Sequence, residues 1–348
     1  MTNALTFASF DSSDGANIHR IPLEVFPNFW AYAYVVHKND FLVLIDSGSG
    51  LDKSHQDLLA GLQKAGVDTA SLTHIFITHA HIDHYGGLSK LRPITQAKIG
   101  VHELDLQTVA HHEARQALTG RRFASFLAET GLAQDRQDQL LGMHHITESF
   151  YQSVPVDFTY EAAGMRIGPF AFIHLPGHCP GHVAIRLDDV IFCGDMVVQG
   201  VTPHLSPVSV TPYGGVARYL ESLSSLEHWA KDANLFFNGH DDPVSDLPAQ
   251  IEATRENIRR RMGKGIEALD LPLTIEEICT AIYGSMDGYN QLLVIEKTGA
   301  YVEYLYERGM IGISNPVDVE QGKPARYCSL REVSKSELLP KERAYVFI

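Results

Sequence analysis

The stretch that most constrains this chain is Thr78-His79-Ala80-His81-Ile82-Asp83-His84-Tyr85-Gly86-Gly87. It follows a short apolar, β-branched run, residues 73–78 (THIFIT), which reads as a strand. It leads into GGLSKLR, which reads as a helix starting at Asp83. In extended backbone, residues two apart point the same way, so His79 and His81 face one point. Asp83 and His84 lie where the chain turns into the helix. Imidazole mixed with carboxylate suits Zn²⁺, Fe²⁺ or Mn²⁺ better than Ca²⁺, which prefers oxygen alone.

Further ligand types stand where other strands should end. His178 lies in LPGHCPGH after the strand FAFIHL, Asp195 in CGD after VIFC, and His240 in NGH after NLFF. Each is presented by a turn carrying glycine, which lets backbone approach a bound ion closely. Five histidines and two aspartates suffice for two metal sites. Asp46 closes the strand FLVLID at another tight turn, DSGSG, and His182 follows His178 at i+4.

The 348 residues suggest about two domains. Residues 1–249 read as one unit of strands and helices, with a polar helical insertion at about 104–155. Residues 250–348 read as three helices and a β-hairpin, the outline of a winged-helix-like module; Thr274 and Glu277 have capping-box spacing there. That segment carries 13 Lys and Arg against 15 Asp and Glu, so nucleic-acid binding is open but not favoured. The whole chain, at net charge −14, is a poor non-specific binder of nucleic acid or anionic membrane. Four cysteines without paired spacing fit a reducing compartment. With no apolar signal core and no run of about 18 apolar residues, the expected setting is cytoplasmic, without a membrane span.

HAHIDH, PGHCPGH, CGD and NGH, in this order and spacing, resemble the metallo-β-lactamase superfamily over roughly residues 20–245. The resemblance implies an α+β fold, a four-layer αβ/βα sandwich with metals at one edge between the sheets. It implies that His79, His81 and His178 hold a first ion, that Asp83, His84 and His240 hold a second, and that Asp195 bridges both. Asp46 is then the strand-end aspartate that orients a ligand from behind, and His182 a supporting position. The cofactors implied are two divalent ions, zinc foremost, with iron or manganese as alternatives. They would hold a bridging hydroxide that Asp83, the catalytic candidate, orients or generates.

The activity expected is hydrolysis of a small ester, thioester or lactone, in the hydroxyacylglutathione hydrolase-like (glyoxalase II-like) group. Alternatives are a metal-dependent phosphodiesterase or endoribonuclease, motivated by the winged-helix outline, and a metal-bound sensor with little catalysis. A mononuclear iron persulfide dioxygenase also stays open. The acidic residue that flavodiiron members carry in this motif is not seen here. Weaker candidates for the pocket lining are His204 and Tyr213, then Tyr85, His111-His112, His144-His145 and Arg121-Arg122. Cys179 reads as a small filler. The expected partner is a small-molecule substrate, with a homodimer as a candidate assembly and a structural or dimerising role for the C-terminal segment.

Overall fold

The computed structural model describes residues 6–148 and 150–339; residues 1–5, 149 and 340–348, which the expected segments include, lie outside the described residues. Alternation of side chains along the strands builds its layers. Strands β1 (Ala8–Asp11), β2 (Asn17–Phe26), β3 (Phe29–Lys38), β4 (Phe41–Ile45), β5 (His74–Phe76), β6 (Lys98–Val101) and β7 (Phe158–Thr159) form one sheet in that order. Pairing is antiparallel up to β4 and parallel beyond it. A second sheet has the order β12 (Leu235–Phe237), β11 (Val190–Phe192), β10 (Val183–Leu187), β9 (Phe170–His174), β8 (Arg166–Ile167). Only the β11–β12 pair in it is parallel.

Tyr32, Tyr34 and Val36 of β3, with Val43, Ile45 and Phe76, pack on Phe170, Phe172, Val183, Ile185, Phe192 and Phe237 of the facing sheet. Each large side chain buried there contributes about 1.5–3 kcal/mol. The alternate residues Ala33, Val35, Leu44 and Ile75 face outward, under helices α1 (Asp52–Lys64), α2 (Ile82–Tyr85) and α3 (Leu88–Leu91), which contribute Leu58, Leu62, Tyr85, Leu88 and Leu91. Both faces of the first sheet are therefore apolar, which is why its central strands read as continuous hydrophobic runs.

Residues 103–148 are three helices, α4 (Glu103–Ala110), α5 (His112–Glu129) and α6 (Gln134–Glu148). Then α7 (Val216–Trp229) lies between β11 and β12, and α8 (Leu247–Glu267), α9 (Ile275–Tyr283) and α10 (Gly288–Glu307) follow β12. The outward residues Ala184 and Ile191 of that sheet share one core with Phe123, Phe126, Leu223, Leu226, Ile258, Met262, Ile295 and Tyr301 from these helices. The result is the four-layer αβ/βα sandwich, with the C-terminal helices built into its outer core. Thr274 and Glu277 form a reciprocal capping box at the start of α9. The closing strands β13 (Ile311–Ile313) and β14 (Tyr327–Ser329) pair antiparallel, but a short helix, α11 (Pro316–Glu320), sits between them; α12 (Lys335–Leu338) ends the described chain. Strands β1 and β2 have no counterpart in the sequence reading, because polar residues interrupt their apolar pattern. Among the described residues no helix is long and apolar enough to cross a membrane.

Candidate metal centre

The segments that follow β4, β5, β9, β11 and β12 meet at one place and bring the seven expected ligands together. His79 Nε2 lies 3.1 Å from His81 Nδ1 and 3.2 Å from His178 Nε2. His240 Nε2 lies 3.5 Å from Asp83 Oδ2, and His84 Nε2 lies 3.8 Å from the same oxygen. Asp195 reaches both groups: Oδ2 is 3.0 Å from His240 Nε2 and 3.6 Å from His178 Nε2, and Oδ1 is 3.4 Å from His84 Nε2. Donor atoms on a tetrahedral ion with bonds of about 2.0–2.1 Å stand roughly 3.3 Å apart, so these spacings fit such ions. His79/His81/His178 and Asp83/His84/His240 are each close enough to share one ion. His84 Nε2 and Asp195 Oδ1 are buried and make no hydrogen bond, a pair of atoms that a cation between them would satisfy.

The chain also sets the imidazole tautomers. His84 Nδ1 donates to Asp46 Oδ2 at 2.8 Å, His178 Nδ1 to the His204 carbonyl at 2.7 Å, and His240 Nδ1 to the Trp30 carbonyl at 2.8 Å. In each case Nε2 is the ring nitrogen that faces the cluster. Asp46, at φ +59°, is held at the end of β4 by accepting from the Thr78 amide and hydroxyl, both at 2.8 Å. His182 is not among the converging donors; its Nε2 accepts the Asp195 amide at 3.1 Å and so steadies the backbone of the shared carboxylate. Gly239 is needed for the approach: a Cβ there would stand 2.2 Å from Asp195 Oδ1 and 2.7 Å from His84 Cε1.

Burial alone would strip protons from every imidazole here. At His84 and His240 the carboxylates of Asp195 and Asp83 outweigh it, raising His84 well above its ordinary value and His240 to about 9. At His79 and His178 burial prevails and the pKa falls well below normal; at His81 it falls to about 4. Burial works against the Asp195 carboxylate too, but His240 and His84 hold it well below the usual range. One half of the cluster is thus neutral nitrogen and the other is an anionic pocket that attracts positive charge, a donor set suited to divalent cations.

The weaker candidates separate. The His204 ring stands 6.5 Å from that of His81, beside the donor cluster. Tyr213, at φ +66°, is 46% exposed, and among its described contacts it meets Arg218 over its ring rather than a ligand. Tyr85 is buried and bonded through its hydroxyl to His112 Nδ1 at 2.8 Å, a packing role. Cys179 is buried, its thiol pushed well up by burial, and it contacts Asp105 Oδ1 at 3.5 Å, so it supplies no thiolate nucleophile. His102, His174 and Glu161 also lie together. The two rings stack, with centroids 3.8 Å and planes 20° apart, so no ion can lie in both ring planes.

Asp105 was not legible as part of this site. It sits in the first turn of α4, where an acidic residue is ordinarily read as balancing the helix dipole. Instead it is buried and accepts the Ala80 amide at 2.8 Å and the Gly181 amide at 2.9 Å. It therefore ties the loop of His79 and His81 to the loop of His178.

The sequence pattern of the Metallo-beta-lactamase superfamily matches residues 31–240, and the chain belongs to that superfamily. Over 286 residues it is 21% identical to the probable metallo-hydrolase YqjP of Bacillus subtilis (strain 168), which covers 77% of this chain and 85% of that protein. Over 227 residues it is 26% identical to the hydroxyacylglutathione hydrolase of Shewanella loihica (strain ATCC BAA-1088 / PV-4), covering 65% and 67% of the two. A solved metallo-beta-lactamase family protein from Thermus thermophilus shares the fold with a TM-score of 0.69 at 21% identity, over 90% of this chain and 98% of that one.

Proposed function

We propose that this protein is a metal-dependent hydrolase that cleaves a small ester, thioester or lactone. One observation carries the reading: two groups of buried or half-buried donors, His79/His81/His178 and Asp83/His84/His240, lie on either side of one carboxylate, Asp195, that reaches both. In this reading each group holds one divalent ion, zinc foremost. When bound, two such ions would supply Lewis acidity and lower the pKa of a water to about 7. Asp83, partly exposed within the cluster, is the carboxylate that would orient an attacking water and take its proton. His84, His178 and His240 keep their Nε2 lone pairs toward the ions through Asp46 and the two backbone carbonyls. The name of the Shewanella relative supports an acyl-thioester substrate class. The near-neutral C-terminal segment and its place in the shared core support a small-molecule partner over a nucleic acid. Four free cysteines support a cytoplasmic setting.

The test is elemental analysis of protein purified without chelator, followed by a substrate panel. About two ions per chain and turnover of thioesters or lactones are expected. Cleavage of bis-p-nitrophenyl phosphate alone would move the assignment to phosphodiester chemistry. Full metal occupancy with no turnover of any panel member would leave a sensor and refute the hydrolase reading.

A further inference from the structure

The loop after Asp195, residues 199–215, contains no helix or ladder strand, yet its His204 carbonyl fixes the tautomer of His178. Something else must hold that carbonyl in place. The loop is anchored by α10, in the outer helical layer. Lys297 Nζ donates to the Thr202 carbonyl at 2.7 Å, and the Val208 amide donates to Glu303 Oε2 at 2.8 Å. Between these anchors, the Ser206 hydroxyl donates to Glu296 Oε2. His204 Nε2 lies 3.0 Å from Ser206 Oγ and 3.4 Å from Glu296 Oε2. Glu296 and Glu303 are seven residues apart, hence on one face of the helix. On that same stretch Gly299 lets α10 approach: a Cβ there would be 2.6 Å from the Phe126 ring and 2.8 Å from Pro207.

A carboxylate that is only 6% exposed costs stability unless it is paired and hydrogen-bonded. Glu296 accepts from Ser206, which is in turn hydrogen-bonded to the His204 ring, and both residues belong to the loop whose His204 carbonyl holds His178. We propose that Glu296, from the C-terminal helix α10, is a positioning residue for the first metal, acting through Ser206 and His204 on the orientation of His178. The C-terminal segment thereby becomes a working part of the metal centre. The inference rests on His178 being a ligand, as in the function proposed above. Outer partners that orient a ligating histidine change metal affinity by about 10–100-fold when removed.

The test compares Glu296→Ala, Ser206→Ala and His178→Ala with wild type. Zinc affinity is measured by competition with a chromophoric chelator, and the visible spectrum is recorded with cobalt(II) in place of zinc. Far-UV circular dichroism checks folding. Glu296→Ala should weaken one of the two ions about tenfold or more and alter the cobalt bands, with the secondary structure intact. Glu296→Gln, which keeps an acceptor for Ser206, should recover part of the loss. Wild-type affinity and spectrum in folded Glu296→Ala, with an ion lost in His178→Ala, overturn the inference and leave the metal site standing. Should Glu296→Ala not fold, Ser206→Ala cuts the same link while leaving the carboxylate, and wild-type values there overturn the inference equally. Two tightly held ions in His178→Ala would instead remove the ligand assignment, and the inference with it.

Discussion

Asp105→Asn isolates the carboxylate that joins the two histidine loops. The aspartate offers one oxygen to the Ala80 amide and the other to the Gly181 amide. An asparagine has only one oxygen, so its NH₂ group must face one of these donors. Losing one bond to a charged acceptor and stranding a buried amide should cost about 2–4 kcal/mol at neutral pH. The loss also has a signature in pH. Burial, the largest influence, outweighs the hydrogen bonds from Ala80, Gly181 and Cys179 and raises the Asp105 pKa from 3.8 to about 6. The folded protein therefore binds this proton more tightly than the unfolded chain does. Its stabilising contribution is whole below about pH 4 and is lost as pH climbs through about 6, roughly 3 kcal/mol in all. About half of that falls between about pH 5 and about pH 7.5. Asparagine does not titrate, so the variant lacks this slope. Urea unfolding of metal-free protein, followed by circular dichroism at several pH values, should show the wild-type advantage shrinking by that amount as pH rises. A difference that stays flat or grows with pH would refute the reasoning.

Asp46→Ala removes the acceptor that orients His84 and holds Thr78; zinc affinity measured by chelator competition should fall about 10–100-fold, and an unchanged affinity would exclude the role. Gly299→Ala forces a methyl group against Phe126 and Pro207, which should lower stability by about 1–3 kcal/mol in urea unfolding. Thr274→Ala breaks the capping box of α9 and should cost about 1 kcal/mol, with no effect on metal content; loss of an ion would show that α9 is coupled to the site.

The candidate donors were legible because they lie in short motifs at the ends of apolar strands, where local pattern marks both the strand and its end. The α9 capping box was legible for the same reason, since its two residues are three apart. The hairpin of β1 and β2 was not, because its partners' burial rather than its own composition makes it a pair of strands. The winged-helix outline described the order of α8, α9 and α10 well enough. It did not reveal that these helices finish the core of the second sheet.

What the amino-acid order alone determined was the inventory of donors and the class of chemistry they serve, since imidazole and carboxylate carry their coordination preferences wherever they stand. Only the tertiary structure decided that Asp105, Ser206 and Glu296 stand behind those donors. Asp105 is 76 residues from Gly181, and Ser206 is 90 from Glu296; no periodicity links such pairs. Their partnership comes from burial: once packing removes water from a carboxylate, only the donors that the fold brings near can satisfy it.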